Sequence, residues 1–144
     1  MDNLAHLMIE HACQKLVFEA AARADANDAA GLAALFAQDA VLVRPDSQLL
    51  TGREAIQAAY AARPAGRITR HLVTNVRVEV ASPTAASAVS YVLLAAGSES
   101  DASGPQGRPM PRLVVGEFHD RFSLIDGDWR IARREARFLL HTGD

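Results

Sequence analysis

Apolar residues return at helical intervals from Leu4 to Ala24. Ile9, Cys13, Leu16, Val17, Ala20 and Ala24 share one side, while Glu10, Gln14, Lys15 and Arg23 are available for a wetter one, so the stretch predicts a long amphipathic helix. "DANDAAGLAALFAQDA" interrupts it with Asn27 and Asp28, either of which can cap a helix start, and Leu32, Leu35 and Phe36 then mark a second, shorter helix. "AVLVRP" reads as a short strand stopped by Pro45, and "PDSQLLTGR" as a turn and a brief extended piece. Thr51 and Glu54 stand at the spacing of a capping box ahead of Ile56, Ala59 and Tyr60, which predicts a third helix. From residue 68 onward the apolar period falls from about 3.6 to about 2, the change from helix to strand. Strands are predicted over 68–80 and 85–97. A loop rich in Ser, Gly and Pro follows, "SESDASGPQGRPMP", readable as a lid or an insertion. Two last strands flank Asp126-Gly127, a type I′ hairpin signal. Helices first and a meander of four long antiparallel strands afterwards predict an α+β architecture, with a pocket on the concave side if the sheet curls round the helices.

Composition narrows the classes. The 144 residues fit one domain, 1–144, and 49% hydrophobic with 22% charged residues is globular, not disordered. A net charge of -2 and the lack of a dense basic run argue against a nucleic-acid partner. Cys13 is the one cysteine, so no internal disulfide and no zinc-type Cys cluster is expected, in keeping with a reducing cytoplasm. The opening "MDNLAHLMIEHACQK" lacks the pattern of a signal peptide, and no apolar run reaches the roughly 20 residues of a membrane span. The expectation is a cytoplasmic protein without a membrane partner.

Four polar residues stand out against the pattern. Strand alternation places Thr69, His71, Val73 and Asn75 on one face, but the same parity brings Arg77 and Glu79, so this face is partly wet unless a bulge shifts the register. Taken alone, His71 reads as a half-exposed strand histidine. Asp25 continues the apolar stripe through Val17, Phe18, Ala21 and Ala22, which sets a carboxylate on or beside the buried face; the plainer reading is a frayed helix end. If Asp25 meets His71, the carboxylate accepts one imidazole N–H and makes the opposite nitrogen a general base. Arg134 falls between Ala132 and Ala136 on one strand face, either as an inward charge with a role at a site or as an ion pair with a carboxylate such as Asp120. Tyr91 either offers a phenol to the same cavity or simply packs. His119 and Arg121 read as a solvated face, and His6, His11 and His141 have no metal-like spacing, so no metal site is expected.

Four segments, "DANDAAGLAALFAQDAVLVRP", "TGREAI", "TRHLVTNVRVEV" and "DRFSLIDGDWRIARRE", together make the chain resemble the NTF2-like superfamily in its SnoaL-like branch. The resemblance implies a curved sheet around three helices forming a cone, and a homodimer or homotrimer built through the sheet's outer face. It spans isomerases, cyclases, dehydratases, dehydrochlorinases and accessory or binding modules, so the fold does not name the reaction. Ketosteroid-isomerase-like members carry an acid before the proline of the first strand, where this chain has Arg44, and a Tyr in the first helix, where it has none before Tyr60. Members resembling scytalone dehydratase and hexachlorocyclohexane dehydrochlorinase carry an Asp–His dyad that matches Asp25 and His71, and the last-strand Arg of the latter falls on Arg134. Two features depart: Ala24 replaces the Tyr preceding the Asp, and no second His stands in "AVSYVLLAAG". The resemblance implies a lyase of dehydratase type that acts on a small cyclic or aromatic substrate without a cofactor. The alternatives are a ligand-binding module or an accessory subunit similar to the dioxygenase β subunit, and an isomerase or polyketide cyclase.

Overall fold

The structure is a computed structural model describing residues 1–143. Helix α1 (Asn3–Asp25) starts where the Asp2 carboxylate accepts the Ala5 N–H at 2.7 Å, and it ends where Asn27 adopts a left-handed φ of 56°. Its apolar stripe, Ile9, Cys13, Leu16, Val17, Ala20 and Ala24, is buried. Asp28 caps α2 (Ala29–Ala33) by accepting the Gly31 N–H at 2.9 Å. This helix is shorter than its sequence suggests. Leu35 and Phe36 keep helical spacing, but Phe36 opens strand β1 (Phe36–Val43) and pairs with Ile131, so a long-range ladder replaces the last helical turn.

Strand β2 (Leu49–Thr51) runs antiparallel to β1, with Thr51 opposite Val41. That pairing takes Thr51 out of reach of a capping role. Helix α3 (Arg53–Ala61) instead begins at Gly52, at φ 92° and without a side-chain cap, and Arg53 ties the helix start to the Phe36 carbonyl through Nε and Nη2 at 3.0 and 2.5 Å. The meander follows as β3 (Arg67–Ser82), β4 (Ala85–Ser98), β5 (Arg112–Ile125) and β6 (Asp128–His141). Asp126 and Gly127, both at positive φ, form the turn of the last hairpin. Among the described residues six strands make one mixed sheet in the order β2-β1-β6-β5-β4-β3, in which only β1 and β6 pair in parallel. Three helices and this sheet form the expected α+β cone, its core built on Val17, Leu32, Phe36, Ile56, Phe122 and Ile131.

Two bulges decide which side chains face the core. In β3 the register shifts between Thr74 and Arg77 at Asn75, whose φ is 52°. Thr69, His71 and Val73 point inward before it and Val76, Val78 and Val80 after it, leaving Arg77 and Glu79 outside. In β6 Phe122 faces Ile131 while Arg121 faces Arg133, so Ala132 is the extra residue and both Ile131 and Arg134 turn inward. A strict two-residue alternation, which groups Arg134 with Ala132 and Ala136, would put Ile131 on the opposite face.

Candidate functional site

The C-terminal end of α1 lies against the first half of β3, and the inward parity of Thr69 and His71 aims both at Asp25. Three hydrogen bonds converge on this carboxylate. The Thr69 hydroxyl donates to Oδ1 at 2.9 Å, the His71 backbone N–H donates to Oδ2 at 2.9 Å, and His71 Nδ1 lies 2.6 Å from Oδ1. A carboxylate has lone pairs for all three and no proton of its own to offer, so the Nδ1–H donates and the tautomer leaves Nε2 unprotonated. Both side chains are largely enclosed, at 16% exposure for His71 and 13% for Asp25. Burial pushes the His71 pKa below its ordinary value. Asp25 pulls the other way by hydrogen bond and charge, but burial, helped by the positive Arg63 and Arg134, prevails. At neutral pH the imidazole is therefore an uncharged base.

His71 opens onto a cavity of about 630 Å³ between the concave face of the sheet and α3. Val92, Leu94, Phe118 and Phe138 provide its apolar wall, Tyr60 stands on the α3 side, and Arg44, Arg63, Arg67 and Arg112 bring positive charge. That volume suits a small organic ligand. A second concavity, about 550 Å³, lies on the outer face of the sheet among Arg77, His119, Arg121, Arg133, Glu135 and Arg137. It is lined largely by charged groups, some already paired, as His119 is with Glu117 and Arg137 with Glu135, and it has no aromatic wall. The inner cavity holds the His71 imidazole and is the candidate site.

Arg134 lies behind this wall. Its Nε and Nη2 donate to Asp120 Oδ1 and Oδ2 at 2.7 and 3.0 Å, its guanidinium carbon sits 4.0 Å from the centre of the Phe118 ring, and it is 4% exposed. The ion pair with Asp120 is thus real, and it is buried. Nη1 has no protein hydrogen bond among the described residues. Tyr91 is not at the site. The parity that turns Ser90, Val92 and Leu94 inward turns Tyr91 out, opposite Thr74 and Glu117 and 40% exposed, so it is corrected to an outer-face residue.

Several residues of the site escaped the sequence reading. Thr69 shares parity with His71 and could have been paired with Asp25 by that alone. Arg63, just past α3, holds the Ala24 carbonyl at 3.1 Å and Thr69 Oγ1 at 3.3 Å, bracing the end of α1 against β3. Tyr60 follows Ile56 by one helical turn, a signal that marks a covered face but not a cavity. Among the described residues, no three His, Cys, Asp or Glu side chains converge in a way that would hold a metal ion, and no helix is long and apolar enough to cross a membrane.

A curved sheet closed by three helices over a cavity with a carboxylate-backed histidine defines a protein of the NTF2-like class with a small-molecule pocket. Within that class the chain belongs to the SnoaL-like domain family, whose pattern matches residues 5–135. Among solved structures it is similar to a scytalone-dehydratase-like protein from Novosphingobium aromaticivorans DSM 12444, at 25% identity and a TM-score of 0.86 over 99% of this chain and 92% of that one. It is also similar to a protein of unknown function from Mycobacterium tuberculosis, at 26% identity and a TM-score of 0.78 over 96% of this chain and 77% of the other. The type 3 hexachlorocyclohexane dehydrochlorinase of Novosphingobium barchaimii LL02 shares the fold at 20% identity, with a TM-score of 0.81 over 98% and 93% of the two chains. No curated protein matches the sequence.

Proposed function

We propose that the protein is a lyase of dehydratase type, in which Asp25 orients His71 and His71 Nε2 removes a proton from a small cyclic or aromatic substrate. The observation that carries this reading is the 2.6 Å contact between His71 Nδ1 and Asp25 Oδ1 at the wall of a cavity, with no protein partner on Nε2 among the described residues. Proton removal leaves a carbanion or enolate, and expulsion of a leaving group from the adjacent carbon completes an elimination without net oxidation. Arg134, with Nη1 uncommitted behind Phe118, is placed in this proposal to steady the developing negative charge or the leaving group. The similarity to a scytalone-dehydratase-like protein favours elimination over isomerisation. Arg44 before Pro45, where an isomerase-like member carries its acid, points the same way.

The test is a panel of cyclic β-hydroxy and β-halo ketones in heavy water, followed by proton NMR for elimination and for deuterium uptake beside the carbonyl. His71→Ala should slow both by about a hundredfold or more, the usual worth of a positioned base, and Asp25→Asn should slow them less. Exchange or elimination that persists in His71→Ala at the parental rate rules the mechanism out.

A further inference from the structure

The cavity carries more positive charge than a proton-abstracting base needs. Arg44 after β1, Arg63 after α3, Arg67 at the start of β3 and Arg112 at the start of β5 all line it, against a single carboxylate, Asp46. The chain as a whole is negative, at -2, so this concentration runs against the overall balance. Among the described residues none of the four arginines takes part in a salt bridge. Arg63 is committed to the Ala24 carbonyl and Thr69, and Arg44 reaches Gln48 at 3.5 Å, but the guanidinium groups of Arg67 and Arg112 make no hydrogen bond within the described chain. Burial and then the charges of Arg63, Arg112 and Arg44 lower the Arg67 pKa, a sign of uncompensated repulsion at a half-buried guanidinium. Like charges gathered in a concave, partly apolar site focus a field that favours an incoming anion.

We propose that the substrate carries an oxyanion, held by Arg67 and Arg112 at one end of the cavity while its reacting C–H faces His71 further along the wall. This rests on the reading of His71 as the base. Arg67 precedes His71 by four residues on the same inward parity, which puts their Cα atoms about 13 Å apart along the strand. The anionic group is therefore set apart from the carbon that loses the proton. The remoteness is chemically apt, because an anion next to the acidic C–H would resist a second negative charge. Phe118, Phe138 and Tyr60 line the same cavity and suit an aromatic or cyclic body. A guanidinium fork fits both a planar carboxylate and a phosphate ester.

The experiment is calorimetric or NMR titration of the full chain with naphthalene-2-carboxylate, its uncharged isostere naphthalene-2-carboxamide, and 2-naphthyl phosphate. At least one anion should bind about tenfold or more tighter than the amide, and the preference should shrink steeply as salt is raised. The stronger of the two identifies the oxyanion. Arg67→Gln with Arg112→Gln should abolish the preference while leaving amide binding within about twofold, and this unchanged amide binding reports an intact pocket. If the double variant does not fold, the two single variants and the salt dependence of the parent decide. Equal binding of anions and amide, or a preference that is insensitive to salt or survives both substitutions, overturns the proposal. His71→Asn should retain anion binding. Retained anion preference with unaltered turnover in His71→Ala would discard the base and keep the anion site, whereas the reverse pattern would discard only the anion site.

Discussion

Replacing Arg134 by Ala removes the only hydrogen-bonding partner that the Asp120 carboxylate has among the described residues. Asp120 is 3% exposed and receives two charge-assisted bonds at 2.7 and 3.0 Å, so the variant strands a carboxylate in the core beside Phe118. Breaking a buried pair in this way costs about 3–5 kcal/mol, since the remaining charge keeps its full desolvation cost. The lost stacking of the guanidinium on Phe118 belongs within that range. With a urea m-value of roughly 2 kcal/mol/M for a chain of this size, a loss of about 4 kcal/mol lowers the midpoint by about 2 M at constant slope. Pairing Arg134→Met with Asp120→Leu should recover most of the loss, because no unpaired charge remains. The measurement is equilibrium urea unfolding by fluorescence of Trp129 and by circular dichroism. A single-variant loss below about 1 kcal/mol, or a double variant no more stable than the single, would refute the reasoning.

Three further outcomes follow from burial. Because burial lowers the His71 pKa, its NMR titration midpoint and the acid limb of kcat/KM should both fall below about 6.5; the neutral imidazole's contribution to stability is full above that pH and is lost as pH falls toward the folded value. Asp25→Asn should move the midpoint lower still, since it removes the influences that raise it, and a midpoint above 6.5 in the parent would contradict the assignment. The Cys13 thiol, fully buried and pushed up to about 12, should be silent to Ellman's reagent in the native protein and react fully in denaturant. Ser90 is wholly buried and its hydroxyl has no partner among the described residues, so Ser90→Ala should raise stability by about 1 kcal/mol and Tm by about 3 °C in a thermal scan.

Local signals in this chain were readable where local forces prevail. The apolar stripe of α1, the alternating strands and the Asp126-Gly127 turn each formed as their residues suggested. Phe36 and Thr51 deviated for one shared reason: each lies within reach of β1 pairing, and a ladder to a distant segment outweighs helical spacing or a capping motif. The bulges at Asn75 and Ala132 are likewise invisible to a strict two-residue period, and they decided where Arg134 and the valines of β3 point. The match of Asp25 with His71 was legible because each residue was awkward by itself. Arg44, Arg67 and Arg112 were unremarkable singly, and only the closure of the sheet brings their separate segments to one cavity.

Asp25 also has a role that the chemistry conceals. Strand β3 is the last strand of the sheet, and the His71 backbone N–H, which points away from β4, would be a free edge donor if Asp25 Oδ2 did not accept it. An open edge of this kind invites pairing with another chain. The carboxylate that receives the imidazole N–H thus also guards against edge-to-edge association, so one side chain serves the pocket and the sheet edge at once. Loss of Asp25 should therefore register as self-association as well as a rearranged pocket wall.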